Sequence, residues 1–275
     1  MTLSLRNRII KILAFFSILT LVAIFVLYAF QFSNGTFMNF PKMIRYFSWL
    51  PNLKILNYAK WAVLASPAFI LVYIAVFSLL IIKYFEKTHA PEIVYYTIFL
   101  AFMIVESTRL FLPALGLWLG NYLLLILISK IVFFCRLAGS TIMLCGAALS
   151  STKADMQDSS LMFGLTALAV VTACFIPVDS LKMHSTWVTP TAYYTLFLVI
   201  RFLFTIATSI SFWITAEKNE ANEYKQAAVF IFMLSTGLVF LQESDNLLFF
   251  AVGAFLLSAG TYGFLKALHK YYLWK

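Results

Sequence analysis

The sequence has little charge for its length: Asp, Glu, Lys and Arg make up 11% of its 275 residues. Soluble domains carry about 25% charged residues and about 45–50% apolar residues. Here 63% of the residues are hydrophobic and the mean hydropathy is +0.91, so a folded chain cannot cover its surface with polar groups. This composition excludes a soluble globular domain and predicts an integral membrane protein.

Cysteine is scarce, and its positions argue against a disulfide framework. Cys135, Cys145 and Cys174 all lie inside apolar runs, and their number is odd. Their spacing fits no zinc or redox motif. We expect them to be small apolar packing residues.

Histidine is missing from the apolar runs, which argues against a metal or heme site there. The three histidines lie in predicted loops or in the tail: His89, His184 and His269. The sequence also lacks a two-histidine zinc-protease helix, a glycine-rich phosphate loop and a glycine-flanked nucleophilic serine. We therefore expect no catalytic residue, no metal and no cofactor, while a membrane-embedded enzyme stays open as an alternative.

Long apolar runs are abundant, and they predict the fold class. A helix of about 20 apolar residues crosses the hydrocarbon core of a bilayer, and in lipid only helices and closed barrels satisfy every backbone polar group. The alternating segments of a barrel are missing. The predicted fold is therefore all-α, a polytopic transmembrane helix bundle of eight spans: 12–30, 61–82, 93–112, 117–149, 161–177, 191–214, 227–241 and 247–265. Seven spans is the alternative, because 227–241 is short and can form a re-entrant pair or one broken helix with 247–265.

The chain is expected to form a single helical membrane domain over residues 1–275, because no connection is long enough to bury a soluble core. The first apolar run is too long for a typical signal peptide and has no small-residue cleavage site after it, so we expect a retained helix. The longest connection, 32–60, mixes aromatic and basic residues. That mixture predicts an amphipathic segment lying in the headgroup plane between the first two spans.

The distribution of basic residues predicts the orientation. Of the 20 Lys and Arg residues, eleven fall on the side of the N-terminus, five on the opposite side and four within spans. Cytoplasmic loops collect basic residues, so both termini are predicted to be cytoplasmic and the protein to lie in the inner membrane of the cell. The net charge of +9 then reflects attraction to anionic headgroups, and we expect no nucleic-acid partner.

Five charged residues lie within the apolar runs and form the candidate ligand-binding set: Glu106, Arg109, Lys130, Arg136 and Arg201. A charge at the bilayer centre costs roughly 2.5–3.5 kcal/mol on insertion scales, so such residues normally face a bundle interior or a wet cavity. Glu106 and Arg109 are three residues apart, share a helix face and can pair. Lys130 and Arg136 are separated by about 120° around a helix, so only one of them is expected to face the cavity.

Cations outnumber anions four to one in this set. An uncompensated cation in a low dielectric needs an anion, which favours an intramembrane pocket for a carboxylate, a phosphate or a lipid headgroup. A buried ion pair that fixes helix register is the structural alternative. Glu243 and Asp245 can add negative charge if their turn folds inward, but the pattern is more typical of a solvated loop.

Three functions fit these features. The first is a small transporter- or permease-like protein with a cationic site for an anionic solute or lipid headgroup. The second is a receptor or sensor that signals to a partner through the cytoplasmic loop 216–226 or the tail. The third is a structural or assembly subunit of a larger membrane complex, favoured by small-residue surfaces that allow close helix contact. Those surfaces are Gly139, Ser140, Cys145, Gly146, Ala147 and Ala148, with the pairs Ala254/Ser258 and Ala259/Gly263. The expected partners are the lipid bilayer, an anionic small molecule or lipid, and another membrane protein.

Overall fold

Helices account for nearly all of the described chain. A computed structural model describes residues 3–34, 56–116, 122–150, 158–179 and 182–273. The helices are α1 (Leu3–Ser33), α2 (Lys60–Phe85), α3 (Pro91–Ile104), α4 (Thr108–Ala114), α5 (Tyr122–Ser150), α6 (Asp158–Phe175), α7 (Tyr194–Lys218), α8 (Asn222–Gln242) and α9 (Leu247–Leu273). A 3-10 turn, Val105–Ser107, joins α3 to α4. Most of the predicted interfacial connection 32–60 lies outside the described residues.

The predicted all-α polytopic bundle is confirmed. Among the described residues, seven helices are long and apolar enough to cross a membrane, with α3 and α4 counting together as Pro91–Ala114. The predicted fifth span corresponds to α6, whose apolar part Met162–Phe175 is shorter than the roughly 17 residues that a perpendicular crossing needs. The predicted seventh and eighth spans are two separate helices, α8 and α9. The protein is therefore a multi-pass membrane protein.

The bundle has two ends that hold different polar contacts. At the loop end, where α8 passes into α9, Gln31 near the end of α1 donates to Pro113 O and Ala114 O of α4. At the terminal end, where α1 begins and α9 finishes, Tyr272 donates to Glu92. The candidate site lies toward the loop end.

Helices α8 and α9 pack backbone to backbone, and glycines make this possible. A Cβ at Gly237 of α8 would lie 2.4 Å from the backbone nitrogen of Leu257, and one at Gly260 of α9 would lie 2.5 Å from that of Leu234. No side chain fits at such distances, so these two positions require glycine. The contact face of α9 therefore runs through Gly253, Leu257 and Gly260, beside rather than along the predicted pair Ala254/Ser258.

The predicted small surface of α5 packs against α3. A Cβ at Gly146 would lie 2.7 Å from Cβ of Tyr95, and one at Gly139 would contact the Phe99 ring at 3.5 Å. Cys145 and Ala147 are buried on the same half of the helix. Close approach of α3 and α5 brings Glu106, just beyond α3, to the middle of α5.

Two charges of the terminal end are buried, although the sequence places them in exposed segments. Arg6 donates to Thr88 O at 2.8 Å and to Phe85 O, so its guanidinium satisfies carbonyls at the end of α2. Glu92 accepts hydrogen bonds from the hydroxyls of Tyr224 at 2.5 Å and Tyr272 at 2.8 Å. Both contacts have a physical reason: helix ends leave carbonyls without partners, and buried carboxylates need donors.

Candidate functional site

The structure brings together four of the five predicted site residues. Glu106, Arg109, Arg136 and Arg201 meet at the end of α8 and are joined there by Glu243; we call these five residues the charged cluster. They come from different elements: the 3-10 turn, α4, α5, α7 and the α8–α9 turn. No side chain in the cluster is more than 9% exposed.

Glu106 is the centre of the charged cluster. Its Oε1 accepts from Arg136 Nε at 2.5 Å, and its Oε2 accepts from Arg136 Nη2 at 3.1 Å and from Arg109 Nη1 at 3.2 Å. The contact with Arg136 is bidentate, the geometry that gives the strongest carboxylate–guanidinium pairs. The 3-10 turn places Glu106 at the point where α3 becomes α4, and Ser107 Oγ donates to Ile104 O at 2.7 Å there. Such back-bonding by Ser bends helices.

Two arginines of the cluster also hold the end of α8. Arg109 Nη1 donates to Gln242 O at 3.1 Å, and Arg136 Nη2 donates to the same carbonyl at 3.3 Å. The last carbonyls of a helix lack intrahelical donors and carry partial negative charge, so a cation there is favourable. Arg109 Nε reaches further, to Thr186 O at 2.9 Å. These two side chains therefore anchor α8 and the segment that covers it.

The turn between α8 and α9 is buried, which corrects the expectation of a solvated loop. Glu243 is 5% and Asp245 is 6% exposed. Glu243 Oε1 accepts from Arg136 Nη1 at 2.9 Å, while the Asp245 carboxylate accepts from Ser185 Oγ and Asn246 Nδ2. Because α8 ends inside the bundle, its turn must find partners there.

This inward turn changes the charge balance that the sequence suggests. The cluster holds three guanidiniums and two carboxylates, an excess of one positive charge rather than four cations against one anion. Arg136 has carboxylate partners in both Glu106 and Glu243. Including Asp245, in the same turn, would bring the formal sum to zero. The scarcity of anions, which favoured a strongly cationic pocket, is therefore much reduced.

The positive charge that lacks an acidic partner lies on Arg201. Its Nη2 donates to the neutral side chain of Gln242. Within the described ranges, no carboxylate lies within ion-pair distance of Arg201, and its buried Nε has no hydrogen-bond acceptor. A buried guanidinium nitrogen without an acceptor is costly. Arg201 is thus the member of the cluster best placed to receive an anionic group.

A segment of the loop before α7, residues 182–193, covers the cluster from the loop end. Trp187 is buried and has φ of 59°, a left-handed conformation that bulky residues rarely adopt. Thr189 is tied to α5, since its backbone N–H and hydroxyl both donate to Ser129 Oγ, at 3.2 and 2.6 Å. His184, which the sequence places in a loop, is buried here, with its ring centroid 6.0 Å from that of Tyr194.

A cavity lies between α5, α7 and this covering segment. Its lining includes three charged side chains, Arg136, Arg201 and Glu243, and the polar side chains Ser129, Thr186, Thr189, Thr191 and Tyr194. Apolar side chains complete it: Val132, Phe133, Leu137, Val188, Phe197 and Leu198. The volume within which the centre of a water molecule can lie is about 40 Å³. One water needs about 10–15 Å³ by the same measure. The cavity therefore suits a few waters or a solute of a few heavy atoms.

Arg201 also lines a second, smaller cavity, further from the loop end. Its polar lining comes from four hydroxyl groups on three helices: Ser140, Thr205, Thr208 and Ser235. The volume within which the centre of a water molecule can lie is about 10 Å³ there, which is room for a single water. Arg201 therefore stands between two polar spaces inside the bundle.

Lys130 lies apart from the charged cluster. Its Nζ donates to Cys174 O at 2.6 Å, so it holds the end of α6. Of the two α5 cations that cannot share a face, Arg136 points into the bundle and Lys130 points toward α6. Glu243 is the cluster residue outside the predicted site set, since the sequence analysis favoured a solvated loop for it. Gln242, which accepts from Arg109, Arg136 and Arg201, was not predicted at all. The signal for them was the shortness of the polar interval between two apolar runs, which forces a tight turn close to the helix ends.

Comparison with known proteins gives no relative: the chain matches no family model, no curated protein and no solved structure. Within the part of the chain that the structure describes, no three His, Cys, Asp or Glu side chains are grouped so as to hold a metal ion. Function must therefore be argued from the charged cluster and the cavities beside it.

Proposed function

We propose that the protein is a small transporter- or permease-like membrane protein that binds a small anionic group at Arg201. The observation that carries the proposal is the placement of Arg201. It is a buried cation with no acidic partner among the described residues, and it lines two polar cavities in the bundle interior. Charged residues at such depth typically line a substrate or ion pathway.

The second cavity supports transport over binding alone. A binding pocket needs one polar space, whereas a permeation route needs polar groups that continue through the bundle. Ser140, Thr205 and Thr208 lie one to two helical turns beyond the cluster, along α5 and α7. Their hydroxyls donate to carbonyls of their own helices and keep lone pairs that can accept from water or from an N–H or O–H group of a passing solute.

The site is proposed to open toward the outside of the cell. The predicted orientation places both termini in the cytoplasm, which puts the loop end on the outer face of the inner membrane. The anionic group can belong to a free solute or to a lipid headgroup. A water-soluble solute should bind to the detergent-purified protein as the free compound. A lipid headgroup should bind only as part of the intact lipid.

The first experiment is thermal unfolding of the detergent-purified protein against small carboxylates, inorganic phosphate and anionic lipids. A ligand at about 100 times its dissociation constant stabilises the native state by roughly 2.7 kcal/mol. We expect at least one anion to raise the unfolding temperature of wild type and to lose this effect in Arg201→Gln. Lys130→Gln is the matched control, because it removes a cation of α5 that lies outside the cavity.

Flux into proteoliposomes then separates transport from sensing. The anion that stabilises wild type should enter vesicles at a rate that falls at least tenfold in Arg201→Gln and stays unchanged in Lys130→Gln. Binding without flux would favour the alternative hypothesis that the protein is a receptor or sensor. If no compound that carries an anionic group shifts wild type, the proposed site does not exist.

A structural or assembly role is the second candidate, and the hydrogen bonding of Glu106, Arg109 and Arg136 favours it. These residues connect the 3-10 turn, α4, α5 and the end of α8, so the cluster braces the bundle whether or not a ligand binds. An assembly subunit should co-purify with a stoichiometric membrane partner in mild detergent. In that case Arg201→Gln should lower the unfolding temperature measured without ligand. No anion should change the unfolding temperature of wild type or of Arg201→Gln.

A further inference from the structure

We infer that the solute bound beside Arg201 is a small zwitterion, with an N–H donor group as well as an anionic group. The inference rests on the proposed function and names the substrate class of the same site. It comes from a second charged residue in the lining of the same cavity, Glu243.

Glu243 has one satisfied and one unsatisfied carboxylate oxygen. Oε1 accepts from Arg136 Nη1 at 2.9 Å, whereas the buried Oε2 has no donor among the described residues. The residue is 5% exposed and lines the same cavity as Arg201. A buried carboxylate oxygen without a donor carries a large desolvation cost, because no hydrogen bond replaces those that it makes in water. A ligand with an N–H group at this position would remove that cost.

Arg201 is the complementary residue. It presents a buried Nε without an acceptor in the described chain, and its Nη2 is held by the neutral Gln242. Two residues of the cavity lining therefore carry unpartnered polar atoms, a donor in Arg201 on α7 and an acceptor in Glu243 on the α8–α9 turn. A ligand with a single type of polar group can satisfy only one of the two.

Glu243 also discriminates against simple anions. An anion that enters beside Arg201 approaches the Glu243 carboxylate across the same small cavity, and like charges repel strongly in a low dielectric. A cation meets the corresponding repulsion from Arg201 and Arg136. A zwitterion can place its anionic end at Arg201 and its ammonium end at Glu243, so the pocket selects it by penalising both alternatives.

The size of the cavity limits the solute to a few heavy atoms. The space available to water-sized centres, about 40 Å³, corresponds to roughly three waters. Ser129 and Thr189 are also in the lining of this cavity. Small amino acids have this size and carry both required groups.

The test compares matched probes that differ in one group each. Glycine, β-alanine and γ-aminobutyrate carry both charges at increasing separation; acetate carries only the anion, methylammonium only the cation, and glycine betaine both charges without an N–H donor. Thermal unfolding of the purified full chain is measured against each probe. We expect at least one amino acid to produce half of its maximal shift at a concentration tenfold or more below those of acetate, methylammonium and betaine.

Variants then test the role of Glu243. In Glu243→Gln, the concentration of acetate that gives half of its maximal shift in unfolding temperature should fall. The corresponding concentration of the amino acid should rise at least tenfold. Glu217→Gln is the matched control, because it removes an exposed carboxylate far along α7 from the cavity. If Glu243→Gln does not fold, the selectivity of wild type among the six probes still decides the inference.

The outcomes separate the inference from the proposed function. If acetate or phosphate stabilises wild type as well as every amino acid does, the zwitterion is refuted while the anion site stands. Betaine equal to glycine would refute the N–H contact with Glu243. If no probe shifts wild type, and the wider anion and lipid panel also fails, both the inference and the proposed function fall, and water is the only occupant of the cavity.

Discussion

Replacing Glu106 by Gln tests whether the charged cluster holds the bundle together. The carboxylate accepts three hydrogen bonds from Arg109 and Arg136, and the two guanidiniums stay buried when its charge is removed. Removing one partner of a buried ion pair typically costs about 3–5 kcal/mol, because it leaves an uncompensated charge. Since whole domains are stable by only about 5–15 kcal/mol, we expect Glu106→Gln to lose a large part of the stability of the protein.

Thermal unfolding in mild detergent measures this loss, with Glu217→Gln as the matched control. Glu217 pairs with Lys225 at 2.7 Å, but its side chain is 60% exposed, and exposed pairs contribute about 0–1 kcal/mol. At about 2–4 °C per kcal/mol, Glu106→Gln should unfold roughly 6–20 °C below wild type, and the control within a few degrees of it. An unfolding temperature for Glu106→Gln within the control range would refute the reasoning, because the buried charges would then be compensated in some other way.

Two further substitutions test packing and the terminal end by the same thermal measurement. Gly237→Ala should cost at least about 1–3 kcal/mol of stability, because the new Cβ would meet the α9 backbone. Gly164→Ala is the control and should be neutral or stabilising, because nothing lies within 4 Å of a Cβ there. Equal shifts in the unfolding temperature of the two variants would contradict the close α8–α9 contact. Tyr224→Phe should cost about 1–3 kcal/mol, because it removes a donor from buried Glu92. Tyr262→Phe, at a tyrosine that is 55% exposed, should change little, and a loss as large as that of Tyr224→Phe would point to a general effect of the missing hydroxyl.

The helices were predictable because lipid imposes a strong pattern on the sequence. The predicted span 61–82 matches α2, Lys60–Phe85, and 191–214 matches α7, Tyr194–Lys218, within a few residues at each end. Helix ends extend past the apolar runs, since their last turns reach polar surroundings where charged residues are tolerated. The predicted fifth span was less predictable, because the described apolar part of α6, Met162–Phe175, is shorter than a perpendicular crossing needs.

The site was predictable in part, and the missing part depends on tertiary contacts. Charges within apolar runs are costly, which identified Glu106, Arg109, Arg136 and Arg201. The helical angle between Lys130 and Arg136 showed that they diverge but not which one turns inward. Glu243 was assigned to solvent, because a polar turn has the same sequence in water as in a bundle. Glu243 lies in the bundle interior because the segment 182–193 covers it and because α8 packs so that its end is buried.

The division of roles within the cluster follows from how α8 ends. A helix that stops inside the bundle needs donors for its last carbonyls, and Arg109 and Arg136 supply them at Gln242 O. Buried guanidiniums in turn need carboxylates, which Glu106 and Glu243 provide. These four residues stabilise one another through these contacts, although Arg109 Nη2 and Glu243 Oε2 have no hydrogen-bond partner among the described residues. Arg201 contributes to none of these ion pairs, yet it is buried and lines both cavities. A cation kept in that position at a cost to stability is the observation on which the proposed anion site rests.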